Sequence, residues 1–391
     1  MNALSFISAV AAPSDLWTII INWIQGAIGN YGWTILLVTI LVKLVTSPLD
    51  FMVKYQTKKQ TLIQKKCSPQ VAKLQKKFGA NQEQLRIQTQ ALYKREGLKM
   101  GSGCLIMLLN MILTMVIFFT FFSSLRKVSA YEVINQYETI EQTYVNEYVS
   151  SLRELSGDES IVDEKSANTW VANLDANNAD HDQYFDMYDK AGKNAASKAL
   201  ATWEDQKDNW LWVDNIWVAD AITSPFPTYD ELMTSANNGG YGTYVEQNVN
   251  KDKYTLISNY INSNASRVQN GYFILPILVG VLTFLSQWIA DLHNNLKNKK
   301  AQHLAKVSDT NNASSMKIMK IIMPLIMVGF AFTSSASFAI YLLSSSIATL
   351  AFGEIINLII TKLTKAKQKE VEEVLEKEAN RQIKKGKLQE K

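Results

Sequence analysis

The run from Tyr31-Gly32-Trp33 to Ser47-Pro48-Leu49 constrains this chain more than any other stretch. It is long and apolar enough to cross a bilayer, since a helix rising ~1.5 Å per residue needs about 20 residues for ~30 Å of hydrocarbon. It nevertheless carries a cation, Lys43, past its midpoint. A charge at that depth costs roughly 2.5–3.5 kcal/mol on insertion scales, so it is rarely left facing lipid. Thr39, Lys43, Thr46 and Ser47 recur at spacings of three and four, which places them on one helix face. The span therefore has a wet side and an apolar side. Two readings of Lys43 stay open: its stem snorkels to the membrane surface, or it lines a hydrated groove. Pro48 and Leu49 still separate it from Asp50, which favours the groove.

The formal net charge of the 391 residues is only +4, but it is unevenly spread. From Lys54 to Lys99 twelve Lys and Arg stand against Glu83 and Glu96, a net of +10; from Arg126 to Gly271 eleven bases stand against 23 acids, a net of −12. Cys67 and Cys104, one in the basic segment and one at the start of an apolar span, make a structural disulfide unexpected and offer no metal spacing. His181, His293 and His303 are scattered. Neither a P-loop nor a dinucleotide fingerprint nor a nucleophile elbow is present, so no enzyme, cofactor or metal is expected.

The sequence predicts an all-α integral membrane protein with five transmembrane helices, a cytoplasmic helical hairpin and an inserted, mostly helical extracellular domain. Residues 1–30 form an N-terminal segment. It has no basic residue in 1–12, so no signal peptide is read although Ala9-Val10-Ala11 loosely resembles a cleavage site. Within it Leu16, Ile20, Ile24 and Ile28 oppose Asp15, Thr18, Asn22 and Gln25, an amphipathic interfacial helix with Trp17 and Trp23 as anchors. The first span is 31–50 and the basic hairpin 51–102. In the hairpin Ser68-Pro69 reads as a helix start and Gly79 as a stop, Asn81 with Gln84 as a capping box, and Gly97 as the second stop. The second span, 103–125, holds Asn110 and Thr114, where an amide either glues helices together or faces substrate.

Residues 126–271 form the acidic domain. Ile134, Tyr137, Glu141, Tyr144, Tyr148 and Leu152 give a long helix with an aromatic stripe that either holds a partner or packs on the domain's own second half. Trp210, Trp212 and Trp217 suit a membrane interface. The third span is 272–290, with Gln287 near its end, and 291–317 is a cytoplasmic loop. The break at Thr333–Ser337 separates a fourth span, 318–337, from a fifth, 338–361, on which Ser346, Gly353 and Asn357 share a face with Thr349 and Glu354 beside it. Residues 362–391 form a charged cytoplasmic tail, read as a soluble, frayed helix. Basic loops stay inside, so the hairpin and tail are expected in the cytoplasm and the acidic domain and N-terminus outside.

These residues resemble the YidC/Oxa/Alb insertases. Gly32-Trp33 leading into a span with a mid-depth cation and Ser47-Pro48-Leu49 resembles their first core span. The hairpin ending Leu92-Tyr93-Lys94, then Gly103-Cys104-Leu105, is similar to their first cytoplasmic loop and second span. Trp212 and Trp217-Val218-Ala219-Asp220 resemble the segment before the third core span of Gram-positive members. Ile322-Met323-Pro324 with Phe330, Phe332 and Tyr341 resembles the last two spans. The match covers 14–128 and 210–361, and 130–209 looks like an insertion. Lys43 stands where the family usually has Arg.

The resemblance implies an insertase that places hydrophobic segments of nascent membrane proteins into the bacterial plasma membrane, alone or beside the Sec translocon, through a lipid-open hydrophilic groove. It implies substrate contact at Lys43, Thr39, Thr46, Ser47, Asn110, Thr114, Gln287, Ser346 and Asn357, with Glu354 as a possible charge partner of Lys43. Nascent membrane proteins, membrane lipids, the Sec translocon and, through the basic tail and hairpin, the ribosome are the expected partners; DNA is not. A small multi-pass transporter or channel, or a membrane-anchored display or sensor protein, are the alternatives. The first calls for internal repeats, which the sequence does not show; the second leaves Lys43 and the hairpin without a role.

Overall fold

The structure is a computed structural model, and it describes residues 10–97, 100–177, 181–294 and 313–384. Twelve helices are found among them: α1 (Leu16–Ile28), α2 (Tyr31–Phe78), α3 (Gln82–Arg95), α4 (Met100–Ser156), α5 (Glu164–Asn177), α6 (His181–Gln206), α7 (Tyr229–Gly239), α8 (Gly242–Asn248), α9 (Lys251–Asn264), α10 (Ile274–Asn294), α11 (Ala313–Thr333) and α12 (Ala336–Lys384). No strand occurs among the described residues, and the sole pairing of that kind is an isolated bridge between Trp210 and Val213. Three helices, α2, α4 and α12, are long and apolar enough to cross a membrane. The chain forms two bodies. One takes residues 1–38, 119–276 and 330–341; the other takes 39–118, 277–329 and 342–391.

Helix α2 runs unbroken through Pro48 and Pro69, so Ser68 does not start a new arm as the sequence predicts. Each proline lacks the N–H that would bond the carbonyl four residues back. Each is preceded by a serine that replaces that donor. Ser47 Oγ donates to the Leu44 carbonyl at 2.8 Å, and Ser68 Oγ donates to the Lys65 carbonyl at 2.9 Å. The helix therefore keeps its hydrogen bonding and continues to Phe78. Of the expected Asn81/Gln84 capping box only the Asn81 half forms, since Asn81 N donates to the Phe78 carbonyl at 2.8 Å. Asn81 caps α3 by accepting from Gln84 N at 3.0 Å, and Gly97 takes the left-handed conformation (φ 83°) just past its end.

In the second body, Ile63, Cys67 and Leu92 form a buried seam between α2 and α3, joined by Val71, Leu74 and Tyr93. The tail is not a separate frayed helix. It continues α12 to Lys384, because Leu62 of α2 is sealed against Val371 and Leu375. Lys66 bridges Glu96 at 3.1 Å and Glu370 at 3.0 Å, and Lys73 reaches Glu378 at 2.8 Å.

The first body is built on the C-terminal half of α4. Ile134, Tyr137, Ile140, Tyr148 and Leu152 are all buried. Tyr137 meets Tyr254 of α9 with ring centroids 4.5 Å apart, and Tyr148, Val149 and Leu152 pack with Ala191 and Ala195 of α6. The aromatic stripe thus packs against the body's own later helices. Lys253 ties α9 to Glu141 at 3.0 Å and Glu164 at 2.6 Å.

Helix α1 packs on the protein through Thr18, Ile21 and Ile24, so its inward face is mixed, and Asn22 of the expected polar side is exposed. Asp15 caps it at Thr18 N, accepts from Ser124 Oγ and lies 3.5 Å from Lys127, while Trp17 Nε1 donates to Thr120 Oγ1 at 2.9 Å. Trp23 stays 79% exposed on the apolar side, as an interfacial anchor requires. Trp210 and Trp217, read from sequence as interface residues, are buried instead. Trp217 packs edge-on to Tyr31 and donates to Asp208 Oδ2 at 2.6 Å, and Trp210 fills the space over Gly32, where a Cβ would come within 2.3 Å of its ring.

Between α6 and α7 a polar loop holds the entry to two apolar helices. Asn215 and Asn270 exchange hydrogen bonds, Asn215 N donating to Asn270 Oδ1 at 2.6 Å and Asn270 Nδ2 to the Asn215 carbonyl at 2.9 Å. Asp220 accepts from Tyr272 N at 2.8 Å and Leu275 N at 2.6 Å, which caps α10. Ala336 N and Ser337 N, opening α12, donate to the carbonyls of Val218 and Ile216.

Candidate functional site

Every residue that the sequence nominates for substrate contact belongs to the second body. On α2, Lys43, Ser47, Asp50 and Lys54 stand at i, i+4, i+7 and i+11, one stripe of a 3.6-residue helix. On α12, Ser346, Leu350, Gly353 and Asn357 repeat that spacing, with Glu354 next to Gly353. The two stripes meet. The Nζ of Lys54 comes so close to Gly353 that a Cβ there would lie 3.1 Å from it. Lys54 also stands in the field of Asp50, Glu354 and Lys43. Asn357 Nδ2 donates to Glu354 Oε1 at 3.4 Å. From α10, the Thr283 hydroxyl lies 3.3 Å from the Ser346 hydroxyl.

Lys43 is half-buried, and among the described residues no carboxylate lies within 4.0 Å of its ammonium. Thr39 is fully buried, and the hydroxyls of Thr46 and Ser47 are held by their own helix, at the carbonyls of Lys43 and Leu44. Such back-bonding satisfies a hydroxyl at low-dielectric depth without a partner from outside. Away from the stripe the first part of α2 is apolar and open, with Leu44 and Val45 exposed, the latter at 78%. The helix thus has one polar face and one face suited to lipid.

Asn110 is half-buried and Thr114 exposed on α4, amid exposed Leu109, Met111, Ile112 and Leu113. Among the described residues no hydrogen bond or ion pair joins either to the Lys43 stripe. The side chain of Gln287 lies outside the described residues. The structure therefore gathers Lys43, Ser346, Asn357 and Glu354 with two groups that sequence reading did not nominate, Lys54 and Thr283. By charge Lys54 belongs with the basic segment that it opens. The signal was present in the i, i+4, i+7, i+11 spacing that begins at Lys43.

The profile of the 60Kd inner membrane protein family matches residues 23–365, most of the chain. The chain belongs to this family. Within the 60Kd inner membrane protein family, of which the YidC/Oxa/Alb proteins are part, the chain is similar to three proteins called membrane protein insertase YidC. That of Chlorobium limicola is 34% identical over 107 residues, 27% of this chain and 18% of the relative. Those of Pelodictyon phaeoclathratiforme and Wolinella succinogenes are 33% and 32% identical over 106 residues, again 27% of this chain and 18% of each relative. The matched stretch thus spans less than a fifth of the length of these curated relatives. No solved structure matches the chain. A member of the 60Kd inner membrane protein family is a membrane protein, as the exposed apolar surfaces of α2 and α4 require.

Proposed function

We propose that the chain is a membrane protein insertase. The observation that carries this reading is the half-buried ammonium of Lys43, which has no carboxylate within 4.0 Å among the described residues, on the polar side of the otherwise lipid-suited first part of α2. A polar face of this kind holds water and shortens the hydrocarbon path that a hydrophilic flank of an inserting segment must cross. Its positive charge draws acidic residues of that flank. The YidC relatives support the same reading by their names. Thr39, Thr46, Ser47, Asn110, Thr114, Gln287, Ser346 and Asn357 then contribute polar groups along the groove, and no bond-breaking chemistry is assigned to the chain.

In this reading five helices span the bacterial plasma membrane: the first parts of α2, α4 and α12, with α10 and α11. The acidic body between α4 and α10 and the N-terminus lie outside; the α2–α3 hairpin and the tail lie in the cytoplasm. Nascent membrane proteins are the substrates, with lipids, the Sec translocon and the ribosome as partners. The ribosome contact uses the basic hairpin and tail, by neutralising phosphate.

Depletion tests the function. Single-span proteins with short acidic outer tails should stop inserting when the protein is withdrawn, and undiminished insertion rejects the proposal. Topology is tested with Glu159→Cys and Asn81→Cys, both exposed positions, each without Cys67 and Cys104. An impermeant thiol reagent on intact cells should label the first and spare the second; the opposite pattern rejects this orientation.

A further inference from the structure

We propose that Lys54 is a second specificity-determining cation of the groove, acting with Lys43 to select inserting segments that carry acidic side chains. The inference rests on the insertase reading. It begins from a contrast along one helix. Lys66 and Lys73 of α2 each have a carboxylate within 3.0 Å, so their charges are spent on holding α3 and the tail. Lys43 and Lys54 do not: among the described residues neither has a carboxylate within 4.0 Å. Both are half-buried.

A lysine with no structural partner ordinarily extends its stem until the ammonium reaches water. The Lys54 stem instead lies over α12, and its Nζ occupies the space left open by the missing side chain of Gly353. Eleven residues separate it from Lys43, three turns and about 20°, so both ammonium groups emerge on the same face. The charged groups around Lys54 are Asp50 on its own helix, Glu354 on α12, and Lys43. The two carboxylates offset the mutual repulsion of the two lysines at a distance without closing either into a contact pair. An acidic side chain arriving on this face meets two cations in succession, neither held by a carboxylate within 4.0 Å among the described residues.

The test uses the full-length protein in vesicles of phosphatidylethanolamine and phosphatidylglycerol, with single-span substrates that differ only in having zero, one or two aspartates in the translocated tail. The reading is the ratio of insertion between the two-aspartate and neutral tails, within one variant, so that protein amount cancels. Lys54→Gln should lower this ratio by about fivefold or more, the weight of one close charge pair in a water-like medium. Lys54→Arg should retain it. Gly353→Leu, which keeps Lys54 but displaces its ammonium, should lower it too. A loss shared equally by all three tails, or no change in the ratio, overturns the inference while the insertase reading stands. A wild-type protein that inserts none of the substrates overturns the insertase reading itself.

Discussion

The carboxylate of Asp220 ties the loop between α6 and α7 to the start of α10, so a single change there should open the first body locally. It is 2% accessible, and it receives Tyr272 N at 2.8 Å, Leu275 N at 2.6 Å and Trp212 Nε1 at 3.4 Å. Asp220→Ala removes the acceptor from the buried Leu275 N–H in the first turn of α10 and from the part-buried Tyr272 N–H just before it. A lost cap costs about 0.5–2 kcal/mol, and each buried donor left bare costs about 1–3 kcal/mol. Water entering the space recovers part of this, so we take about 2–4 kcal/mol for local opening. At 1.4 kcal/mol per tenfold, that is a rise of roughly 30- to 1,000-fold in the open population. Amide hydrogen exchange in micelles should show it as lost protection across residues 270–276, with α3 unchanged. Gly271→Ala probes the same carboxylate without touching it, since the new Cβ would fall 1.8 Å from Oδ1 and push it off both donors. Asp220→Asn, which keeps one acceptor oxygen, should fall between. Unchanged exchange at 270–276 in both Asp220→Ala and Gly271→Ala would refute the view that this carboxylate holds α10 in place.

The sequence made legible what is set within a few residues. The Asn81 cap, the Gly97 stop, the amphipathic α1 and the apolar runs of α2, α4 and α12 each carry their own chemistry. The Ser68-Pro69 pair misled because a hydroxyl can cap a helix start or stand in for a missing N–H inside a helix, and the two uses look alike in sequence. Contacts decide between them: Ile63, Cys67 and Leu92 bury one side of α2 across Ser68, so the helix continues. The tail misled in the opposite way, since its stripe Thr364, Val371, Leu375 and Ala379 is thin among charges and finds its partner, Leu62, about 300 residues earlier. The Asn215–Asn270 exchange spans 55 residues and follows no period, so no local pattern reports it. Lys54 groups by charge with the basic segment, whereas its spacing from Lys43 places it on the polar face.

If the charge of Lys43 acts on substrate, Lys43→Arg should keep insertion of acidic-tailed proteins and Lys43→Ala should reduce it, measured by protease protection of the tail; full activity of Lys43→Ala at normal protein level would leave Lys43 as a snorkelling anchor. For the tail, exposed ion pairs contribute about 0–1 kcal/mol each, whereas truncating a buried leucine costs about 2–5 kcal/mol. Leu375→Ala should therefore speed tryptic cleavage at the exposed Lys377 far more than Glu378→Gln does, and equal effects would mean that charge holds the tail. The last prediction concerns pH. Glu132, seven residues beyond the expected second span, accepts from Tyr31 Oη at 2.7 Å. Burial pushes its carboxyl up to about 7, with the charge of Asp208 adding to the rise; burial also raises Asp208, against the hydrogen bonds from Trp217 and Gln136. A carboxyl raised in the folded state binds more protons folded than unfolded, so stability is highest at low pH and declines as pH climbs from the ordinary carboxylate range to about 7. A rise from 4.5 to about 7 corresponds to about 3 kcal/mol at most, at 1.36 kcal/mol per unit. Glu132→Gln keeps an acceptor for Tyr31 and removes the titration. Hydrogen exchange in the first body, corrected for intrinsic rates, should therefore show wild type losing protection between pH 5 and pH 7.5 relative to Glu132→Gln. Two curves that stay parallel across that window would mean that Glu132 is ionised throughout and that its neighbours, Tyr31 above all, stabilise the charge more than burial opposes it.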